Sequence, residues 1–168
     1  MITVVVLLVA FAACITDLRH RRIPNALTFG AAATAIAFHV AVDGFAGLGT
    51  SVGGWLVGTA LFLPFFALGG MGAGDVKLLA ALGAWLGPRE TFWVAIYGSL
   101  AGGVMALAVA FVRGYLPTAC RNVGSLLTYW MLVGPRPMPE LTLERSAAPR
   151  LAYAVPIFTG AVMAVWFR

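Results

Sequence analysis

The chain carries little charge. Of its 168 residues only 10% are Asp, Glu, Lys or Arg, where a soluble domain averages about 25%, and no charge at all occurs between Gly44 and Gly74. A soluble fold of this length needs polar faces on its helices or strands, so the scarcity excludes one. With 61% hydrophobic residues and a mean hydropathy of +0.95, the composition places the chain in a bilayer. Cysteine is scarce too. Cys14 and Cys120 form no CxxC pair, which excludes a thiolate metal site and a disulfide framework and leaves both expected as reduced, structural residues. His20 and His39 have no second ligand at metal spacing, so no metal and no cofactor is expected; His20 reads as a solvated loop residue and His39 as a packed or interfacial one. No basic residue precedes the first apolar run, while Arg19, Arg21 and Arg22 follow it. That order is the reverse of a cleavable signal peptide and predicts a retained first helix with its N-terminus outside.

What charge there is marks the breaks between apolar runs. Six runs follow one another: residues 2–16, 26–42, 45–68, 76–86, 91–112 and 151–167. The expected fold is therefore all-α, a polytopic membrane helix bundle of about six transmembrane helices, with residues 1–168 forming a single membrane domain. If each run crosses once, the breaks at 17–25, 69–75 and 113–150 share one side. That side holds Arg19, Arg21, Arg22, Lys77, Arg113, Arg121, Arg136, Arg145 and Arg150, and the positive-inside rule makes it cytoplasmic. The net charge of +5 is thus a topology signal rather than a nucleic-acid surface. The stretch 123–133 is too short for a span and reads as an interfacial helix; a seventh span there is the alternative. Trp55, Trp85, Trp93, Trp130 and Trp166 fall mostly near run ends, where aromatic belts are expected.

Run length also says where the acids lie. A crossing needs about 20 residues, so the first helix must continue through Asp17 toward Arg21. Between Asp75 and Pro88 there is room for only about 18 Å of helix, which leaves Asp75 below the membrane surface on the same side. Asp43, Glu90, Glu140 and Glu144 have ordinary places in turns or in the polar loop. Asp17 and Asp75 do not, because a carboxylate within the bilayer costs about 2.5–3.5 kcal/mol even on insertion scales and is a functional candidate by default. Two such groups brought together can share one proton, which is the apparatus of aspartyl proteolysis: one carboxylate takes a proton from water while the other polarises the scissile carbonyl. The glycines of Gly69-Gly70-Met71-Gly72-Ala73-Gly74 permit non-helical backbone before Asp75 and close approach of a substrate chain. A small-xxx-small packing pair, Gly70 with Gly74, competes with that reading; Gly98 with Gly102 is a similar pair.

Two motifs carry a resemblance. Asp17-Leu18-Arg19-His20-Arg21-Arg22-Ile23-Pro24-Asn25 is similar to the first-aspartate motif of bacterial type IV prepilin peptidases, and Gly70 to Leu79, with its GxGD and following Lys77, is similar to their second. Pro156 matches a frequent feature of the last helix. The resemblance implies a membrane aspartyl endopeptidase that removes the basic leader of prepilins, with pseudopilins as further candidate substrates, at the cytoplasmic face of the inner membrane. It carries Asp17 and Asp75 over as the catalytic pair, with Gly72, Gly74, Lys77, Pro24 and Asn25 as substrate-binding or supporting residues; Pro24 and Asn25 are placed at the start of the second helix. Only a short segment precedes Asp17 and there are no paired CxxC motifs, so the chain resembles the small form of tight-adherence (Flp) pilus systems, and no methyltransferase activity is expected. The presenilin-like group shares GxGD, but its Pro-Ala-Leu motif is absent. Expected partners are the prepilin and membrane lipid, with no nucleic acid. A small transporter or ion relay and an inactive pilus-assembly scaffold are the rival readings.

Overall fold

The computed structural model describes residues 1–138, 140–142 and 151–167. Arg145 and Arg150, counted above toward the basic side, and Glu144, placed in the polar loop, lie outside them. The described chain is helical: α1 (Ile2–His20), α2 (Asn25–Ala67), α3 (Ala73–Leu86), α4 (Pro88–Val112), α5 (Leu116–Val133) and α6 (Ala154–Trp166). Among the described residues, α1, α2 and α4 are long and apolar enough to cross a membrane, and α6 is a shorter apolar helix. The protein is an integral membrane helix bundle.

The first helix runs through Asp17 and stops at Arg21, which takes a left-handed conformation (φ 54°) and donates its N–H to the Asp17 carbonyl. Arg19 and His20 lie in the last turn, where positive charge suits the helix dipole. His20 is exposed but helical, not in a loop.

The second helix folds back on itself. At Gly44 the backbone adopts φ 59°, ψ −135°, open to glycine and hostile to residues with a Cβ. Beyond it Gly47 presses against the carbonyl of His39, and Thr28 and Phe29 share a cavity wall with Thr59, Leu63 and Phe66. Residues 25–43 and 45–67 therefore form two antiparallel arms. The tight turn at Asp43-Gly44 and the two runs flanking it agree with the sequence pattern.

These two arms, with α1, α4 and α6, surround α3. Leu78 to Trp85 are all buried, as a helix apolar on every side requires. Its closest approach is to α2, where Gly54 and Gly83 each meet the other's carbonyl and a Cβ on Gly58 would lie 2.7 Å from the Leu79 carbonyl. The α4–α6 contact repeats the device with Gly98 and Gly160. Small residues let backbones touch where no hydrophobic force drives helices together in lipid. Gly70 and Gly74 do not act this way: Gly70 lies in the turn before α3, which fits the loop reading of these glycines.

Two expectations are corrected. Trp85 is only 6% exposed, tilted against Phe38 in the core rather than in an aromatic belt, because it lies on the enclosed α3. Cys120 is exposed on α5, whereas Cys14 is buried. His39 is packed as expected, its Nε2 3.1 Å from the Trp85 carbonyl. The helix here is longer than the 123–133 stretch read from the sequence: α5 begins at Leu116, buries none of its residues and shows Val123, Leu127 and Met131 as one exposed apolar stripe. That is the form of a helix lying in the membrane surface.

Candidate active site

Gly87, with φ 82°, turns the chain from α3 straight into α4. The twelve residues from Asp75 to Leu86 cover about 18 Å, while the 25 residues of α4 cover about 37 Å. Asp75 therefore stops well short of the far end of α4, at the depth of Ser99. The carboxylate lies within the bundle because α3 is short.

The start of α3 fixes Asp75 locally. Gly72 is the N-cap with extended backbone, φ −78° and ψ 146°, and Asp75 is the third residue of the helix. Its carboxylate folds back onto the backbone of Gly72, the reach of an N3 acid in a capping box. A Cβ on Gly72 would lie 3.1 Å from Asp75 Oδ2. Asp17 is held from far away. It is 8% exposed, and its Oδ2 accepts the N–H of Ala154 at 3.3 Å. Ala154 is the first residue of α6, so Asp17 satisfies one of that helix's unpaired N–H groups and meets the positive end of its dipole. One turn earlier on α1, the Cys14 thiol donates to the Ala154 carbonyl at 3.1 Å. The same residue of α6 is thus held by α1 at both its N–H and its C=O.

The two carboxylates converge closely enough to interact electrostatically. They line one cavity of about 620 Å³, together with Pro24, Asn25, Gly72, Gly74 and Lys77. All seven residues singled out in the sequence are in its wall. Pro24 is the N-cap of α2 and Asn25 its first residue. Lys77 donates to Asn25 Oδ1 at 3.0 Å and lies over the Phe29 ring, 5.4 Å from its centroid. It ties the start of α2 to α3 rather than reaching for Asp75. Gly74 leaves room for Ile23, which a Cβ would approach to 3.3 Å. His20, Arg21 and Arg22 complete the rim, and the arginines are exposed, so the cavity opens at the basic end of the bundle.

A second cavity, about 440 Å³, lies on the other side of Asp75 and Gly72. Its wall is mostly apolar or glycine, including Phe65, Met71, Gly102 and Gly103, with Ser99 and Tyr153 its polar members besides Asp75. Ser99, Gly103 and Ala106 are exposed on α4, so it opens sideways. Asp75 therefore stands between a charged recess open at the helix ends and an apolar one open along the flank. Tyr153, Ser99 and Ala154 went unnoticed in the sequence. Ala154 acts through its backbone, which has no sequence signal; a tyrosine near the start of the last apolar run was the available cue for Tyr153.

Among the described residues no cluster of three or more His, Cys, Asp or Glu side chains is placed to hold a metal ion. The recess brings two carboxylates together in a space open to solvent.

Comparison with known proteins points the same way. The profile of the type IV leader peptidase family matches residues 4–107. The chain is 37% identical over 106 residues to the prepilin leader peptidase/N-methyltransferase of Aeromonas hydrophila, covering 59% of this chain and 36% of that protein. It is 31% identical over 128 residues to the type 4 prepilin-like proteins leader peptide-processing enzyme of Escherichia coli O78:H11, covering 71% of this chain and 48% of the other. A prepilin leader peptidase/N-methyltransferase from Xanthomonas campestris pv. campestris is 35% identical over 105 residues. The matched region spans between about a third and a half of the length of these relatives. No solved structure matches the chain significantly.

Proposed function

The chain belongs to the type IV leader peptidase family, and from that membership we propose that it is a membrane-embedded aspartyl endopeptidase that removes the leader of prepilins through Asp17 and Asp75. The observation that carries the reading is the convergence of two carboxylates, Asp17 buried and Asp75 partly buried, from helices far apart in sequence, on one open cavity. In this reading the chain acts as one membrane domain in the bacterial inner membrane. Its basic end, and with it the site, faces the cytoplasm. The substrate class is the Flp-type prepilin suggested by the sequence resemblance, and no methyltransferase activity is assigned.

The mechanism follows from the geometry. A substrate peptide reaching Asp75 passes the glycine-flanked start of α3, where Gly72 presents backbone without a side chain. Water occupies the recess between the carboxylates. The pair holds one proton between its members: the ionised carboxylate accepts a proton from the attacking water, and the protonated one donates to the carbonyl oxygen as the tetrahedral intermediate forms. On collapse one carboxyl gives its proton to the leaving amine while the other, now ionised, takes a proton from the intermediate's hydroxyl, so the pair again holds one proton. The titration belongs to the pair, so neither residue is named acid or base. Gly72 orients Asp75, Ala154 orients Asp17, and Lys77 with Asn25 holds the rim. The two recesses suit a substrate whose polar leader meets an apolar segment near the cut bond, since they adjoin at Asp75.

Co-expression with an Flp-type prepilin tests this. Wild type is expected to shift the prepilin mass by the leader, and Asp17→Asn and Asp75→Asn to leave it uncut while remaining in the membrane. Equal processing by wild type and variants would instead support a scaffold role.

A further inference from the structure

Tyr153 joins parts of the site that nothing else joins. Its backbone is the N-cap of α6, immediately before the Ala154 N–H that Asp17 accepts. Its ring lies edge-on to Phe62 of α2, with centroids 6.0 Å apart, and fills a notch over Gly102 of α4, where a Cβ would come within 2.8 Å of the ring and of its hydroxyl. Its hydroxyl and the Ser99 side chain interact within the wall of the lateral cavity. It also lines the lateral cavity with Asp75. The residue is therefore clamped by α2 and α4 at its ring while its main chain begins the helix that orients the other carboxylate.

We propose, on the peptidase reading above, that Tyr153 is a positioning residue: its anchorage to Ser99 and in the Gly102 notch sets where the first turn of α6 lies, and so the placement of Asp17 relative to Asp75. Packing alone does not need the hydroxyl, because Phe62 and Gly102 meet the ring. The hydroxyl fixes the ring along α4, at the depth where Ser99 faces Asp75. Loosening it lets α6 slide by a fraction of an ångström. That leaves the bundle folded and the cavities open, but misaligns the pair.

The test is steady-state leader removal from an Flp-type prepilin in lipid vesicles, comparing Tyr153→Phe, Ser99→Ala and their double variant. Each single variant is expected to lower kcat about tenfold with KM nearly unchanged, as a sub-ångström misplacement does. The double variant should be no worse than either single, since both remove one interaction. Gly102→Ala, whose Cβ would crowd both the ring and its hydroxyl, should also lower kcat. Thermal midpoints of the Phe and Ala variants should stay at the wild-type value, which separates positioning from mere stability. Wild-type kcat in Tyr153→Phe, or losses that multiply in the double variant, overturn the proposal. Wild type and Asp75→Asn run in the same vesicles distinguish the two claims. If wild type cuts and Asp75→Asn does not, a normal Tyr153→Phe sinks the positioning role alone; if Asp75→Asn cuts like wild type, the peptidase reading fails and takes this one with it.

Discussion

Asp17 lies near the end of a helix and is held by a backbone N–H 137 positions away, whereas Asp75 opens its helix and is held by the backbone three residues before it. One is enclosed and the other faces two cavities. The same functional group is thus presented by a long-range clamp in one place and by a local turn in the other. A local holder moves with its residue, so the start of α3 can shift without losing Asp75's orientation. The remote holder makes Asp17 depend on how α6 docks against α1, and therefore on much of the bundle. The pair is as well aligned as that docking allows.

Lengthening each carboxylate by one methylene separates the two modes most strongly. Asp17→Glu and Asp75→Glu keep the charge but move the oxygens by more than 1 Å, so each is expected to lower cleavage by about 10²-fold. Only Asp17→Glu should also lower the thermal midpoint, because Asp17 is nearly enclosed and its oxygen is committed to the Ala154 N–H, while Asp75 borders two cavities. Equal midpoints for the two would erase the contrast.

Gly72→Ala probes the local holder. Its extended backbone accepts alanine, and the new Cβ meets only the Asp75 oxygen, 3.1 Å away. Cleavage should fall about tenfold with little change in stability, as displacement of an oriented group does. A melting loss without a rate loss would mean that the turn, not the carboxylate, is what Gly72 serves.

Cys14→Ala weakens the remote clamp without touching either acid, by removing the thiol's weak bond to the Ala154 carbonyl. A two- to threefold drop in cleavage, roughly, is expected from so weak a donor. Lys77→Met, which unties Asn25 but keeps apolar contact with Phe29, should be smaller still, since exposed polar pairs contribute about 0–1 kcal/mol. Loss of activity as large as that of the Asp variants would move Lys77 from the rim into the chemistry.

The contrast also explains what the sequence disclosed. Asp75 is surrounded by its own determinants, glycines before it and a short apolar helix after it, so its setting could be read from a dozen neighbouring residues. The reversal at Gly44 was equally local, a charge and a glycine between two apolar runs. Asp17 could be flagged because the first run was too short without it, but its partner could not: every residue has an N–H, and only the fold says that Ala154's is nearby. Trp85 was misplaced for the same reason. A tryptophan at the end of an apolar run fits a membrane interface or a protein core, and only the four-sided enclosure of α3 decides between them. Tyr153 looked like an ordinary member of the last apolar run until Ser99 and Gly102 were placed beside it.

The most direct test uses the purified chain in lipid vesicles with an Flp-type prepilin as the only other protein, following the substrate mass over time for wild type, Asp17→Asn, Asp75→Asn and the double variant. The account predicts leader release by wild type and losses of at least about 10³-fold in each single variant, with the double no worse than either, because the two carboxylates act as one unit. Cleavage near the wild-type rate by either single variant would contradict it.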